Sequence, residues 1–224
     1  MKSDPVSPQG RQTLQIGDVS ITIETPPDLD ALLDRAAQEA PHTVDGIPYY
    51  AILWPSARGL AEYLWHERQA LKGSHVIELG CGLGMPAILA AKLGAAVDAT
   101  DFHPDTGEWL LHNAKENSVD LTYQQLDWNV FLNGDKKARP SLSAPFVIGS
   151  DLLYESRHIP ALVCTIDALC QQDGHAIISD PGRDNLPTFV TAMERIGWKA
   201  ELIPVNDIYV CRFGRSVSKS EKCQ

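Results

Sequence analysis

Residues His75 to Asp101 read HVIELGCGLGMPAILAAKLGAAVDATD, and their pattern decides the fold. His75 to Leu79 is an apolar run of strand length. Gly80-Cys81-Gly82-Leu83-Gly84 is a glycine-rich turn that opens directly into a helix of small and apolar residues, and a second strand ends at Asp101. Glycine tolerates the positive φ of such a turn and lets backbone amides approach a ligand closely. A turn at a helix N-terminus, at the carboxyl ends of parallel strands, is where α/β folds bind nucleotides. An acidic residue, Glu78, precedes it.

Downstream the alternation of strand and helix continues. Pro104 to Asn117 has helical spacing, and Leu121 to Leu126 is a strand closing at Asp127-Trp128. Lys136 to Ala144 reads as an exposed connection. Phe146 to Ser150 is a strand ending at Asp151, and Ile159, Leu162, Val163, Ile166 and Leu169 share a helical face, with Pro160 tolerated in its first turn. His175 to Ser179 is a strand ending at Asp180-Pro181-Gly182-Arg183. Leu186, Phe189, Val190, Met193 and Ile196 form the next helical face, which Gly197 stops. Ala200 to Ile203 and Ile208 to Phe213 are strands joined by a short turn, so the last runs antiparallel. The expectation is an α/β, Rossmann-like sheet of seven strands, mostly parallel with an antiparallel last strand and helices on both faces.

Upstream, Leu14 to Ile16 and Val19 to Ile23 alternate around Gly17-Asp18 as a β-hairpin, Pro26-Pro27 stops it, and Asp28 to Gln38 has helical spacing. Residues 1–12 read as a polar tail. Tyr49 to Pro55 is an aromatic and apolar stretch leading into a helix from Ser56 to about Glu67. These readings give a tail with an accessory hairpin and helix over 1–48, the main domain over 49–213, and a disordered tail over 214–224.

A length of 224 residues suits one domain with an embellishment, and 44% hydrophobic with 21% charged residues is ordinary globular composition. The net charge of −10 argues against a nucleic-acid or anionic-membrane surface, because phosphates are repelled. No apolar run approaches the roughly 20 residues that cross a bilayer. Five cysteines, without a CxxC pair and without a signal peptide, predict reduced thiols in a cytoplasmic protein. His42, His66, His103 and His112 show no metal-ligand spacing, so no metal is expected. Asn113 and Asn117 read as solvated helix positions.

Asp101, Asp127, Asp151 and Asp180 stand at successive strand ends. In a parallel sheet those ends share one edge, so the carboxylates converge on one crevice. Asp101 lies 17 residues past Gly84, where a carboxylate accepts from ribose hydroxyls. That feature also suits NAD. The short GxGxG, the acid ahead of it and the Asp127-Trp128 pair favour S-adenosylmethionine.

With these residues in hand, the chain resembles a class I, seven-strand S-adenosylmethionine-dependent methyltransferase from about Tyr49 to Phe213. More narrowly it is similar to the protein lysine methyltransferases with a D-x-x-Y signature after the fourth sheet strand, here Asp151-Leu152-Leu153-Tyr154. Tyr50 to Ser56, with Leu60, Tyr63 and Leu64, resembles that family's pre-domain motif. Asp180-Pro181-Gly182-Arg183 looks like the branch acting on the beta subunit of electron transfer flavoprotein, although that branch usually has a polar residue at Cys81. The resemblance implies a cofactor wall of Trp54, Glu78, Gly80, Cys81, Gly82, Gly84, Asp101, Asp127, Trp128 and Ser150. It implies that Asp151 and Tyr154 face the methyl acceptor, with Asp180 and Arg183 on the substrate side. The partner so implied is a protein with an accessible lysine, and the enzyme is expected to be a monomer. Methylation of a small-molecule amine, hydroxyl or thiol, a non-catalytic S-adenosylmethionine-binding module and a dehydrogenase are the alternatives.

Overall fold

A computed structural model describes residues 10–39, 47–132 and 141–215. The chain begins with an antiparallel hairpin, β1 (Arg11–Ile16) and β2 (Val19–Glu24), followed by helix α1 (Leu29–Glu39). A short 3-10 turn, Tyr49–Ala51, leads into α2 (Pro55–His66) and the single turn α3 (Arg68–Leu71). The alternating part runs β3 (His75–Leu79), α4 (Met85–Lys92), β4 (Ala96–Asp101), α5 (Thr106–Glu116), β5 (Thr122–Gln125), α6 (Asn129–Leu132) and β6 (Ala144–Ser150). A 3-10 turn at Ser156–His158 enters α7 (Ile159–Leu169), then come β7 (Cys170–Asp180), α8 (Leu186–Arg195), β8 (Trp198–Val205) and β9 (Ile208–Arg215).

β3 to β9 form one sheet in the order β5-β4-β3-β6-β7-β9-β8. The pairs from β5 to β7 are parallel, and β9 is antiparallel to both β7 and β8. Seven strands with an antiparallel last strand is the expected sheet. Its order reverses between β3 and β6, which opens a crevice beyond their carboxyl ends. The loops after β3 and β6 carry Gly80 and Asp151.

Local sequence explains the helix starts. α2, α4, α7 and α8 each place a proline in the first turn, where its missing N–H costs no hydrogen bond. α4 is buried from Met85 to Ala90 because it packs against β2, α2 and β4 together, which is why its sequence is apolar all round. On the other face, Phe189 of α8 meets Phe213 of β9 edge to face, centroids 5.5 Å apart, beside the buried Trp198. Each such side chain contributes about 1.5–3 kcal/mol through burial.

The hairpin is integrated into this body. Ile16, Ile21 and Ile23 are at most 1% exposed and share a core with Leu64, Leu83 and Leu89. Asn113 and Asn117, expected in solvent, are buried and bound to β2. Asn117 accepts from the Thr22 N–H (2.9 Å) and donates to the Thr22 carbonyl (2.6 Å). Asn113 does the same with Glu24 and donates also to the carbonyl of Leu83 (3.1 Å). Two asparagines four residues apart thus stand in for a third strand.

Other differences have local causes. Ala144 is buried and starts β6, and β7 begins at Cys170, because the register shifts between Ala144–Cys170 and Phe146–His175. That irregularity gives the segment 171–174 a polar, loop-like pattern inside a strand. The tail expected over 1–12 gives way to β1 at Arg11, with residues 1–9 outside the described residues, and β9 runs two residues past Phe213, with 216–224 outside them. Most of the connection read over 136–144 also lies outside the described residues. Among the described residues no helix is long and apolar enough to cross a membrane, and Cys81, Cys164, Cys170 and Cys211 are free thiols.

Candidate active site

A cavity of about 540 Å³ lies at the carboxyl ends of β3, β4 and β6, closed in front by residues 47–57. Its floor is the glycine turn. Gly80 and Gly82 both take positive φ (59° and 48°). The turn is held by Cys81 N–H donating to the Thr100 carbonyl (3.0 Å) and Gly84 N–H to that of Cys81 (2.8 Å). Gly82 lies against the front wall, where a Cβ would make ordinary contact with the Tyr50 carbonyl at 3.4 Å, and its positive φ is what calls for glycine.

Asp101 closes β4 beside this turn. Its Oδ2 accepts from the Gly82 N–H and its Oδ1 from the His103 N–H, each at 3.0 Å. Burial raises its pKa, and those two amides act in the opposite direction. Glu78 sits behind the turn, fully buried, with Oε2 accepting from the Ala87 N–H (2.9 Å) in the first turn of α4. Desolvation pushes its carboxyl well above the ordinary range. Glu78 therefore braces the floor and is not part of the cavity lining. Burial likewise pushes the Cys81 thiol well up, which leaves it a poor nucleophile.

Beyond β5, Asp127 Oδ1 accepts from the Asn129 backbone N–H (2.8 Å) and side-chain amide (2.9 Å), which fixes the carboxylate at the start of α6. Trp128 and Asn129 line the same end of the cavity. The front wall is aromatic. Trp54 donates its indole N–H to the Tyr49 carbonyl (3.0 Å), Tyr49 lies 5.5 Å from Tyr154, and Tyr154 lies 5.6 Å from His158, measured between ring centroids. Tyr50 stacks on His103 at 4.6 Å, and burial lowers the His103 pKa.

Asp151 follows Ser150 at the end of β6 with a φ of 61°, a left-handed conformation that a non-glycine residue adopts at a cost. Its N–H donates to the Ser179 carbonyl (2.9 Å), and its Oδ2 accepts from the Ser56 N–H at the start of α2 (3.1 Å). Its Oδ1 lies 2.7 Å from Nη2 of Arg183, whose Nη1 lies 2.9 Å from Oδ2 of Asp180. Asp180 is fully buried, and its Oδ1 accepts from the N–H groups of Gly182 (2.8 Å) and Arg183 (2.6 Å). Burial raises the Asp151 pKa, and the charge of Arg183 pulls it back.

Of the residues singled out in the sequence, Trp54, Gly80, Cys81, Gly82, Gly84, Asp101, Asp127, Trp128, Ser150, Asp151, Tyr154 and Arg183 line this one cavity. Glu78 and Asp180 stand behind it. Tyr49, Tyr50, His103, Asn129 and His158 also line it and were not among the site residues expected from the sequence. Tyr49 and Tyr50 fall in the aromatic run that flagged Trp54, whereas His103 and His158 carry no motif.

Residues 42–195, more than half of the chain, match the model of a family described as lysine methyltransferase. The chain belongs to that family. Among curated proteins this family member is 31% identical over 137 residues to the histone-arginine methyltransferase METTL23 of Rattus norvegicus, covering 57% of the chain and 56% of the relative. It is 33% identical over 134 residues to the protein N-lysine methyltransferase METTL21A of Danio rerio, covering 58% and 59% respectively. The chain thus spans little more than half the length of these curated relatives. Among solved structures it is similar in fold to a 16S rRNA N2 G1207 methyltransferase of T. Thermophilus, solved with AdoMet and guanosine, with a TM-score of 0.68 over 92% of this chain and 50% of the other, at 14% identity.

Proposed function

We propose that this lysine methyltransferase family member transfers methyl groups from S-adenosylmethionine to a protein side-chain amine. The observation that carries the reading is one cavity with two chemical ends, the glycine turn with Asp101 at one and Asp151 with Tyr154 at the other. The residues fit the cofactor. Gly82 takes a φ of 48°, which glycine adopts freely, and presents bare backbone to the cavity. Asp101, already fixed by two amides, keeps acceptor capacity for ribose hydroxyls. Asp127 suits an adenine amino group and Trp128 the base, with Trp54 and Ser150 bordering the cofactor.

When bound, this cofactor supplies a methyl group already activated on a sulfonium. The protein has to align the acceptor and exclude water. The front wall, with Tyr50 buried and Tyr49 and Trp54 half-buried, limits water at the reacting centre, and Asp151 with Tyr154 orients the acceptor. A lysine amine has a reference pKa of about 10.4, so presenting it neutral near pH 7 costs about 4.6 kcal/mol.

The test is incubation of a proteome with methyl-labelled cofactor. Label in a protein band supports the reading, and label confined to small molecules moves the chain to the small-molecule class. Hydrolysis of the labelled band separates methyl-lysine from methyl-arginine, the second reading raised by the METTL23 relative. The beta subunit of electron transfer flavoprotein is the acceptor we would try first, on the Asp180-to-Arg183 resemblance. A cytoplasmic, monomeric enzyme completes the proposal; the four free thiols among the described residues suit a reducing compartment.

A further inference from the structure

We infer that Arg183 is an internal counter-ion that lets Asp151 hold an acceptor amine without holding its extra proton. The inference rests on the reading of Asp151 as the acceptor-orienting residue. It replaces the expectation that Arg183 contacts the substrate.

Both arms of the guanidinium are engaged, Nη2 on Asp151 at 2.7 Å and Nη1 on Asp180 at 2.9 Å, and the side chain is 26% exposed. Asp180 places its other oxygen on two backbone amides, so it is fixed independently of the cavity. Asp151 is fixed by the Ser56 amide and a left-handed backbone. The guanidinium is therefore a built part of the wall, and both of its carboxylate partners are themselves buried.

Methyl transfer needs the nitrogen lone pair, so the acceptor ammonium must first give one proton to solvent. An unpaired carboxylate in a buried site favours the ammonium and opposes that loss. A guanidinium in contact with the same carboxylate, here shared with Asp180, offsets part of its field, while a lone pair on the oxygen still accepts from a neutral amine N–H. Asp151 then orients the amine while holding its proton less firmly than an unpaired carboxylate would. From α2 the Ser56 amide meets this pair, and from β7 the Ser179 carbonyl and the Asp180 carboxylate do. The segment after β6 adds Tyr154, Glu155, Arg157 and His158 to the cavity wall, and the opposite strand ends add Asp101, His103 and Asp127. These stay constant across the variants below, so differences in profile report the pair.

The test is the pH dependence of label incorporation into the protein band that the wild type labels, with S-adenosylhomocysteine binding measured alongside as a check on folding. Arg183→Met should raise the midpoint by about one pH unit or more, which is roughly tenfold in rate below the midpoint, with recovery at high pH. Arg183→Lys, which keeps the charge, should stay near the wild type. Asp180→Asn keeps an oxygen for the two amides and removes one negative charge from Arg183, so its midpoint should fall. Should Arg183→Met not fold, the Asp180→Asn shift decides. Unchanged midpoints in variants that still bind S-adenosylhomocysteine would overturn the inference, as would an Arg183→Met loss that high pH does not restore. If the wild type labels no protein at all, the proposed function fails and this inference with it.

Discussion

Asn113 holds the backbone of Glu24 as a neighbouring strand would, accepting from its N–H at 2.8 Å and donating to its carbonyl at 3.1 Å. The same side-chain amide donates to Leu83 in the glycine turn, so one buried residue joins the N-terminal hairpin to the cavity floor. Asn113→Ala leaves buried backbone groups without partners, at about 1–3 kcal/mol each. We expect a stability loss of at least about 2 kcal/mol in urea unfolding, together with weaker S-adenosylhomocysteine binding. A loss below 0.5 kcal/mol, roughly the range of surface substitutions, would mean that water replaces the side chain.

Gly80 combines two demands. Its φ is 59°, and a Cβ there would sit 2.5 Å from Cδ2 of Leu152. The left-handed conformation costs about 1–2 kcal/mol for other residues, and crowding of this kind about 1–3 kcal/mol. Gly80→Ala should lower stability by roughly 2–5 kcal/mol and disturb Leu152, which lines the cavity. Calorimetric unfolding with cofactor titration reads both effects.

Glu78 should leave a signature in the pH dependence of stability. Burial raises its folded pKa well above 4.5, so the stability it contributes is complete below that ordinary value and is lost as pH rises through the folded one. Glu78→Gln removes that loss and keeps an oxygen for the Ala87 N–H. Stability of the variant relative to wild type should therefore increase with pH in chemical unfolding from pH 5 to pH 8. Parallel curves would show that Glu78 does not titrate in that window.

Trp128 is proposed to pack on the adenine. Aromatic pairs contribute about 0.5–1.5 kcal/mol beyond burial, so Trp128→Ala should weaken S-adenosylhomocysteine by about tenfold or somewhat more once lost contact area is added. Binding unchanged within a factor of two would take Trp128 out of the cofactor wall.

The sheet was readable because its signals are short-range. Strand runs ending in Asp101, Asp151 and Asp180, and glycines at Gly80 to Gly84, report local backbone needs directly. Tertiary hydrogen bonds were not readable. Asn113 and Asn117 look solvated in a polar helix stretch, and only the hairpin's approach makes them core residues. The ion pairs of Arg183 with Asp151 and Asp180 were not readable either, because the two carboxylates come from different strand ends. Glu78 stands next to the turn in sequence yet points behind it, since a strand alternates its faces. The bulge before His175 hid the start of β7 for a similar reason, as it depends on pairing with β6.

The most direct test of the central claim is a paired measurement on Asp151→Ala, namely S-adenosylhomocysteine affinity by calorimetry and label transfer to the protein band that the wild type labels. The predicted result is affinity within about threefold of the wild type, below 1 kcal/mol of difference, with label transfer reduced more than about a hundredfold. Loss of affinity in parallel with activity would assign Asp151 to the cofactor wall, and label transfer at the wild-type rate would contradict its role at the acceptor.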